Sequence, residues 1–372
     1  PLEGKIMTIR TSDCGLSYAV LKSGNAVAYC ALWIKCGTRD EDGFHSGIAH
    51  FTEHTMFKGT TRKSARVING YLDRLGGDLN AFTTKEEIVL QSMVLKEDLG
   101  KAAGLLLELA TCPSFPEDDI EIEKGVVIDE IHSYKDSPAD EVYDKFEEAL
   151  LSGHPLSRPI LGTATTVKRI TGEELHRFVS ERFTPGNMAL TIVADIDERK
   201  LEQSVLKLSE KVFDGSWSDS KGRTLQKVSS PSIFNSKLND LLRERNGWVY
   251  GVEASYSQYS DTGVMAITLG CDRSNLAKCL AGVDKVIRKM QDDLMSEPAL
   301  KAAKKQLLGQ LAISSDNGET QCLSMGKSLI SFGEVSTDLQ NREAIESVSA
   351  ERIRESARTI FNPETLSTLV YL

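Results

Sequence analysis

One stretch of this chain recurs, and the recurrence limits the folds open to it more than any other feature. Val167 to Ala194 can be laid on Ile345 to Leu372 without a gap. Ile170 then falls on Val348, Thr171 on Ser349, Glu173 on Glu351 and Leu175 on Ile353, and Phe183-Thr184-Pro185 falls on Phe361-Asn362-Pro363. Each copy reads as a helix opened by a hydroxyl N-cap, a proline turn that cannot continue the helix, and a closing strand. An internal repeat of this kind points to two related domains. Between them, Phe213 to Val228 is rich in Ser, Gly, Asp and Lys, which is linker chemistry. The expected organisation is therefore a first domain over 1-212, a linker over 213-228 and a second domain over 229-372, which a length of 372 residues also favours.

Hydrophobic periodicity fills in the two halves. Strand patterns at Leu16 to Leu21, Ala26 to Ile34, Ile88 to Leu95 and Leu190 to Ala194 alternate with helical ones. The helices are expected at Ala65 to Leu75, Glu97 to Ala110, Pro116 to His132, Ala139 to Leu151 and Thr171 to Arg182. The second half repeats the mixture, with strands at Trp248 to Ser257 and Val264 to Leu269 and helices at Leu276 to Glu297 and Ala299 to Ile313. The fold class is α+β: two related domains, each a mainly antiparallel sheet with helices packed on one face.

The chemistry concentrates in His50-Phe51-Thr52-Glu53-His54. Residues three and four apart share a helix face, so His50 and His54 can grip one metal ion while Glu53 points at the same spot. Gly47 to Phe57 has no proline and carries Ile48, Ala49, Phe51, Met56 and Phe57, enough apolar mass for a buried helix. The string is the inverse of the H-E-x-x-H zinc-protease signature. The plain alternative is a helix with two ordinary histidines, but the chain has only six histidines and two stand at ligand spacing around a glutamate. The second half has no such string, so only the first can hold metal.

A hydrolytic zinc site takes three protein ligands and leaves one position open. Ser114 to His132 offers the missing carboxylate. Ser114 with Glu117 fits a capping box, and Glu117, Asp118 and Asp119 suit the positive end of a helix. Glu123 and Glu130 lie on one face with Val126 and Val127 between them. Carboxylates on an apolar stripe are costly to bury unless a cation or donors compensate them; a solvated acidic helix is the alternative.

At this point the chain resembles the pitrilysin/insulinase family of inverted-motif zinc peptidases, most closely its mitochondrial processing peptidase branch. In that family a glutamate downstream completes the site, and counting 76 residues on from His54 arrives at Glu130. The run Ile122-Glu123-Lys124-Gly125-Val126-Val127-Ile128-Asp129-Glu130 matches the family pattern around it. Further matches are Gly76-Gly77-Asp78-Leu79-Asn80-Ala81-Phe82-Thr83-Thr84, the segment Leu150 to Gly162, and Leu242-Arg243-Glu244-Arg245-Asn246-Gly247-Trp248-Val249-Tyr250. The last departs mildly from the family at Asn246-Gly247-Trp248 but keeps the arginine-to-tyrosine spacing.

The resemblance implies a zinc-dependent metalloendopeptidase acting on peptides or unfolded segments, with one Zn2+ per chain. His50, His54 and Glu130 would be the metal ligands and Glu53 the general base acting on the attacking water. Glu123 would orient a ligand histidine from behind, Arg243 and Tyr250 would face the substrate and steady the oxyanion, and the strand Asn80, Ala81, Phe82 would bind extended peptide. It also implies a homodimer with shared sites, since single-chain members enclose substrate with four domains and this chain supplies two; a heterodimer with a differently decorated chain is the alternative. Members that lose motif residues act as metal-free binding or scaffold subunits, and an unrelated metal hydrolase with a coincidental motif is a more distant reading. Here every motif residue is in place.

Bulk properties narrow the rest. A net charge of −10 with no basic patch argues against nucleic acid and mildly favours cationic peptides. No apolar run approaches a membrane span, and no signal-peptide pattern opens the chain; Pro1 to Lys5 read as a remnant ahead of Met7. Seven cysteines, odd in number and scattered, suit reduced thiols and a cytoplasmic location.

Overall fold

The computed structural model describes residues 7–71, 73–213, 238–364 and 366–371. The chain forms two compact units that a single cut does not separate. The first gathers 1–137, 147–222 and 314–337; the second gathers 138–146, 223–313 and 338–372. Set against a boundary at the linker, 138–146 and 314–337 each belong to the unit on the other side of it. The linker itself, apart from Phe213, lies outside the described residues.

The first unit is built on a sheet of order β1-β2-β6-β3-β5-β4. Its strands are β1 (Met7–Thr11), β2 (Ser17–Lys22), β3 (Val27–Ile34), β4 (Asp78–Thr83), β5 (Ile88–Leu95) and β6 (Met188–Ala194). The β2–β6 pair is parallel and all other neighbours are antiparallel. Its helices are α1 (Ile48–Met56), α2 (Ala65–Asn69), α3 (Leu99–Thr111), α4 (Glu117–Lys135), α5 (Pro138–Leu150), α6 (Ala164–Val167), α7 (Gly172–Arg182) and α8 (Glu198–Val212); α5 runs across the boundary between the units. The α+β class and the mainly antiparallel sheet are as expected.

Strand alternation divides the core in two. Val20, Cys30, Leu32, Ile34, Leu90 and Ile192 pack with Phe51, Leu106, Val127 and Phe178 from the helices in one cluster. Ala19, Leu21, Ala31, Trp33, Val89 and Val193 face the opposite way. The expectation of helices on one face only fails here. A helix from late in the sequence, Gly318–Phe332, lays Cys322, Met325, Leu329 and Ile330 over this second face. The approach is close: a Cβ on Gly326 would lie 1.9 Å from the Trp33 indole nitrogen. β6 is buried along its whole length because both faces are covered.

The second unit pairs β7 (Val249–Gln258) with β8 (Gly263–Cys271). Its helices are α9 (Leu276–Asp292), α10 (Glu297–Ser314), α12 (Asp338–Glu346) and α13 (Ala350–Ile360), the covering helix Gly318–Phe332 of the first unit being α11. Val249, Val252, Val286 and Ala357 share its core. The repeat is real at its capped helices: Thr171 Oγ1 accepts from Glu174 N–H at 3.2 Å, and Ser349 Oγ accepts from Arg352 N–H at 3.2 Å. It fails at the end, where 366–371 carry no regular structure in place of the expected closing strand. No described helix is long and apolar enough to cross a membrane. All seven cysteines are free, four of them buried.

Candidate metal centre

α1 begins abruptly and is held hard at its start. Gly47 adopts φ 92° as its N-cap, a conformation that favours glycine. Glu41, buried, accepts from Gly47 N–H at 3.0 Å and Ala49 N–H at 3.1 Å, satisfying donors that a helix start leaves open. Burial pushes the Glu41 carboxyl up to about 8, against the pull of those N–H groups and of Arg158. The segment around Gly162 presses on the same junction; a Cβ there would meet Ser46 O at 2.4 Å and the Gly47 Cα at 2.8 Å.

From that fixed start the helix aims both histidines at α4. The ligating atoms of His50, His54 and Glu130 all lie within 4.8 Å of one another. Glu130 Oε2 is 3.7 Å from His50 Nε2 and 3.6 Å from His54 Nε2. His50 is 6% exposed. Burial, and then the neighbouring His54, push its imidazole down to about 3, so the ring is neutral at ordinary pH and has a lone pair to give. Its Nδ1 is buried with no hydrogen-bond partner among the described residues.

Donor atoms around one tetrahedral zinc stand roughly 3.3–3.6 Å apart, given bonds of about 2.0–2.2 Å. Glu130 Oε2 stands close to that spacing from both histidines. Two imidazoles and a carboxylate with room for one more group is a hydrolytic zinc donor set, so the residues present fit the ion.

The side chains around the cluster are themselves tied down. Glu53 Oε2 accepts from Thr83 Oγ1 at 3.0 Å. Burial raises the Glu53 carboxyl above its ordinary value and Glu130 adds to the rise, while His54 and the Thr83 bond pull it down. Glu123, 5% exposed, stands behind His54: its Oε2 is 3.1 Å from His54 Nδ1, and its Oε1 pairs with Lys58 Nζ at 2.6 Å. The buried glutamate on an apolar stripe is thus compensated by an imidazole and an ammonium. The expected Ser114–Glu117 capping box does not form, because Pro116 takes the N-cap position in extended conformation.

Asn80, Ala81 and Phe82 lie on β4, the sheet's outer strand. Alternation splits them: Ala81 packs with the α1-side core, Phe82 with the cluster under α11. Arg243 and Tyr250 belong to the second unit, Arg243 in the π-helical turn Asn239–Glu244 and Tyr250 on β7. Tyr250 is 72% exposed and its hydroxyl donates to Asp272 Oδ1 at 2.6 Å, which raises the phenol's pKa. The metal cluster is made by the first unit alone.

Sequence reasoning passed over three participants. Lys58 lies four residues beyond His54, just past the end of α1, a spacing that could have found it. Thr83 stands two residues beyond Ala81, on the same face of β4. Glu41 carried no pattern; only its burial reveals it.

Residues 18–164 match the insulinase (peptidase family M16) model and residues 215–307 match the peptidase M16 inactive domain. The chain belongs to the M16 peptidase family. It is 28% identical over 393 residues to an uncharacterized zinc protease, YmxG, of Bacillus subtilis, covering 94% of this chain and 95% of that one. It is 28% identical over 372 residues to an uncharacterized zinc protease of Rickettsia felis, covering 90% of each. Among solved structures, a peptidase M16 inactive domain from Pseudomonas fluorescens superposes with TM-score 0.84 at 18% identity, covering 95% of this chain and 94% of that one. A protease from Helicobacter pylori gives 0.82 at 18% identity, covering 95% and 96%. These structural likenesses establish the fold.

Proposed function

We propose that the chain is a zinc-dependent metalloendopeptidase that hydrolyses peptides or unfolded segments, binding one Zn2+. The observation that carries this reading is the convergence of His50, His54 and Glu130 within 4.8 Å, with the Glu53 carboxyl beside them and Glu123 behind His54. Zinc held there would supply Lewis-acid chemistry toward water and a peptide carbonyl. Glu53, its basicity raised by burial and its carboxylate steadied by Thr83, takes a proton from the attacking water and returns it to the leaving amine. Glu123 fixes the His54 ring and its tautomer through Nδ1. Asn80, Ala81 and Phe82 offer backbone along the sheet edge to an extended substrate.

Arg243 and Tyr250 serve as oxyanion and peptide anchors, contributed in trans. Two copies of the chain form a homodimer in which this pair from one subunit closes over the cluster of the other. The free thiols suit a cytoplasmic, reducing compartment.

A peptide-library digest read by mass spectrometry tests the activity. Wild type should cleave, a chelator should stop it, and Glu53→Gln should bind zinc but not turn over. Cleavage by Glu53→Gln at the wild-type rate, or by wild type stripped of metal, would overturn the reading.

A further inference from the structure

The outer edge of β4 is already occupied. Thr84 N–H donates to Glu87 O at 2.8 Å at the base of the β4–β5 turn, and antiparallel ladders alternate bonded and non-bonded pairs. Counted back along the register, Phe82↔Val89, Asn80↔Gln91 and Asp78↔Met93 are the bonded pairs. The N–H groups of Leu79, Ala81 and Thr83 therefore point away from the sheet. Two of these donors are taken by the strand's own side chains: Asp78 Oδ1 accepts from Leu79 N–H at 2.9 Å, and Asn80 Oδ1 accepts from Ala81 N–H at 2.9 Å. The third residue of the row, Thr83, donates its side-chain hydroxyl, not this N–H, to Glu53. The edge donors thus run toward the base of the site in steps of two residues, roughly 6.8 Å each.

We propose that Asp78 and Asn80 are specificity-determining residues that cap the β4 edge, and that an extended peptide docks by putting its own backbone carbonyls where their side-chain oxygens now sit. The reading of the site as a peptidase supplies the identity of this ligand. The caps are intramolecular, so they compete with every incoming group. One isolated carbonyl gains little by displacing one cap. A chain that presents carbonyls two residues apart, with its intervening N–H groups free to reach the outward carbonyls of β4, displaces both caps and gains a ladder. The edge therefore selects extended segments with an unmodified backbone over small amides, helices and folded surfaces. Asn80 is the weaker cap because it is neutral; a carboxylate in its place would hold Ala81 N–H more strongly.

The test measures binding of a fluorescent unstructured peptide to zinc-loaded chains carrying Glu53→Gln, which separates docking from hydrolysis. Relative to Glu53→Gln alone, adding Asn80→Ala or Asp78→Ala should tighten binding by roughly threefold to tenfold, the scale of one net hydrogen bond. Adding Asn80→Asp, nearly isosteric, should weaken it by a similar factor. Single N-methylation along the peptide should cost affinity at every second residue. Unchanged or weaker binding by both alanine variants in folded protein, or an N-methyl scan with no period of two, overturns the proposal. Binding that follows the series while wild type cleaves nothing leaves the caps standing and removes the peptidase reading. Cleavage with a flat series removes the caps alone.

Discussion

Glu123→Gln isolates what the residue behind His54 contributes. In the wild type one carboxylate serves two neighbours, accepting from Lys58 Nζ through Oε1 and from His54 Nδ1 through Oε2. Glutamine keeps the volume but has only one acceptor. The Lys58 ammonium, being charged, takes the amide oxygen, which turns the NH2 toward His54 Nδ1. An NH2 there favours the tautomer with hydrogen on Nε2, the nitrogen that faces Glu130 at 3.6 Å and must give its lone pair to the metal. Zinc binding should weaken about 10–100-fold, the usual effect of losing such a partner, or roughly 1.4–2.7 kcal/mol. Competition with a chromophoric chelator measures it. The structure also specifies a partial rescue. In Lys58→Met/Glu123→Gln the amide oxygen is free to turn to His54, so the double variant should bind zinc more tightly than Glu123→Gln alone, a non-additivity expected of neighbours sharing one group. Unchanged affinity in Glu123→Gln, or a double variant no better than the single, would refute the argument.

Two further outcomes follow from the packing and from the proposed assembly. Gly162→Ala and Gly43→Ala both place a side chain at positive φ, but only the first collides with backbone, at Ser46 O and Gly47 Cα; Gly43 has nothing within 4 Å. Both should lose about 1–2 kcal/mol from the backbone conformation, and Gly162→Ala a further ~1–3 kcal/mol, lowering its Tm several degrees below that of Gly43→Ala in a thermal melt; equal melting points would show that the α1 junction yields freely. Mixing Glu53→Gln and Tyr250→Phe chains, each inactive alone, should restore roughly a quarter of wild-type activity if sites are shared across a two-fold axis, and no recovery despite demonstrated subunit exchange would exclude sharing.

Much of the site was legible because helical spacing is rigid. His50, Glu53 and His54 are fixed relative to one another by α1 itself, and Glu123 and Glu130 by α4, so sequence separation translates directly into a shared face. What joins the two helices is tertiary, and only the family resemblance chose Glu130 over Glu123 as the ligand. The strands β3 and β5 were also visible, as short apolar runs. The hidden parts depend on contacts between distant segments. Nothing in Gly318 to Phe332 announces that Gly326 must clear the Trp33 indole, so α11 and the second covered face went unseen. The run Ala65 to Leu75 read as one helix, yet α2 stops at Asn69 where Gly70 breaks the pattern. The closing strand expected from the repeat has the right residues, but 366–371 form no ladder, and a strand exists only when a partner supplies it.

The covering of the first sheet by α11 has a consequence for synthesis. Trp33, Val89 and Val193 leave the ribosome early, while the helix that shields them is complete only at Phe332. At about 5–20 residues per second, the interval between Val193 and Phe332 lasts on the order of ten seconds, during which one face of a finished sheet stands open. A gene cut at the linker would make that interval permanent. The metal-binding half should therefore be insoluble when expressed as 1–212, and soluble when residues 314–337 are supplied to it as a separate peptide.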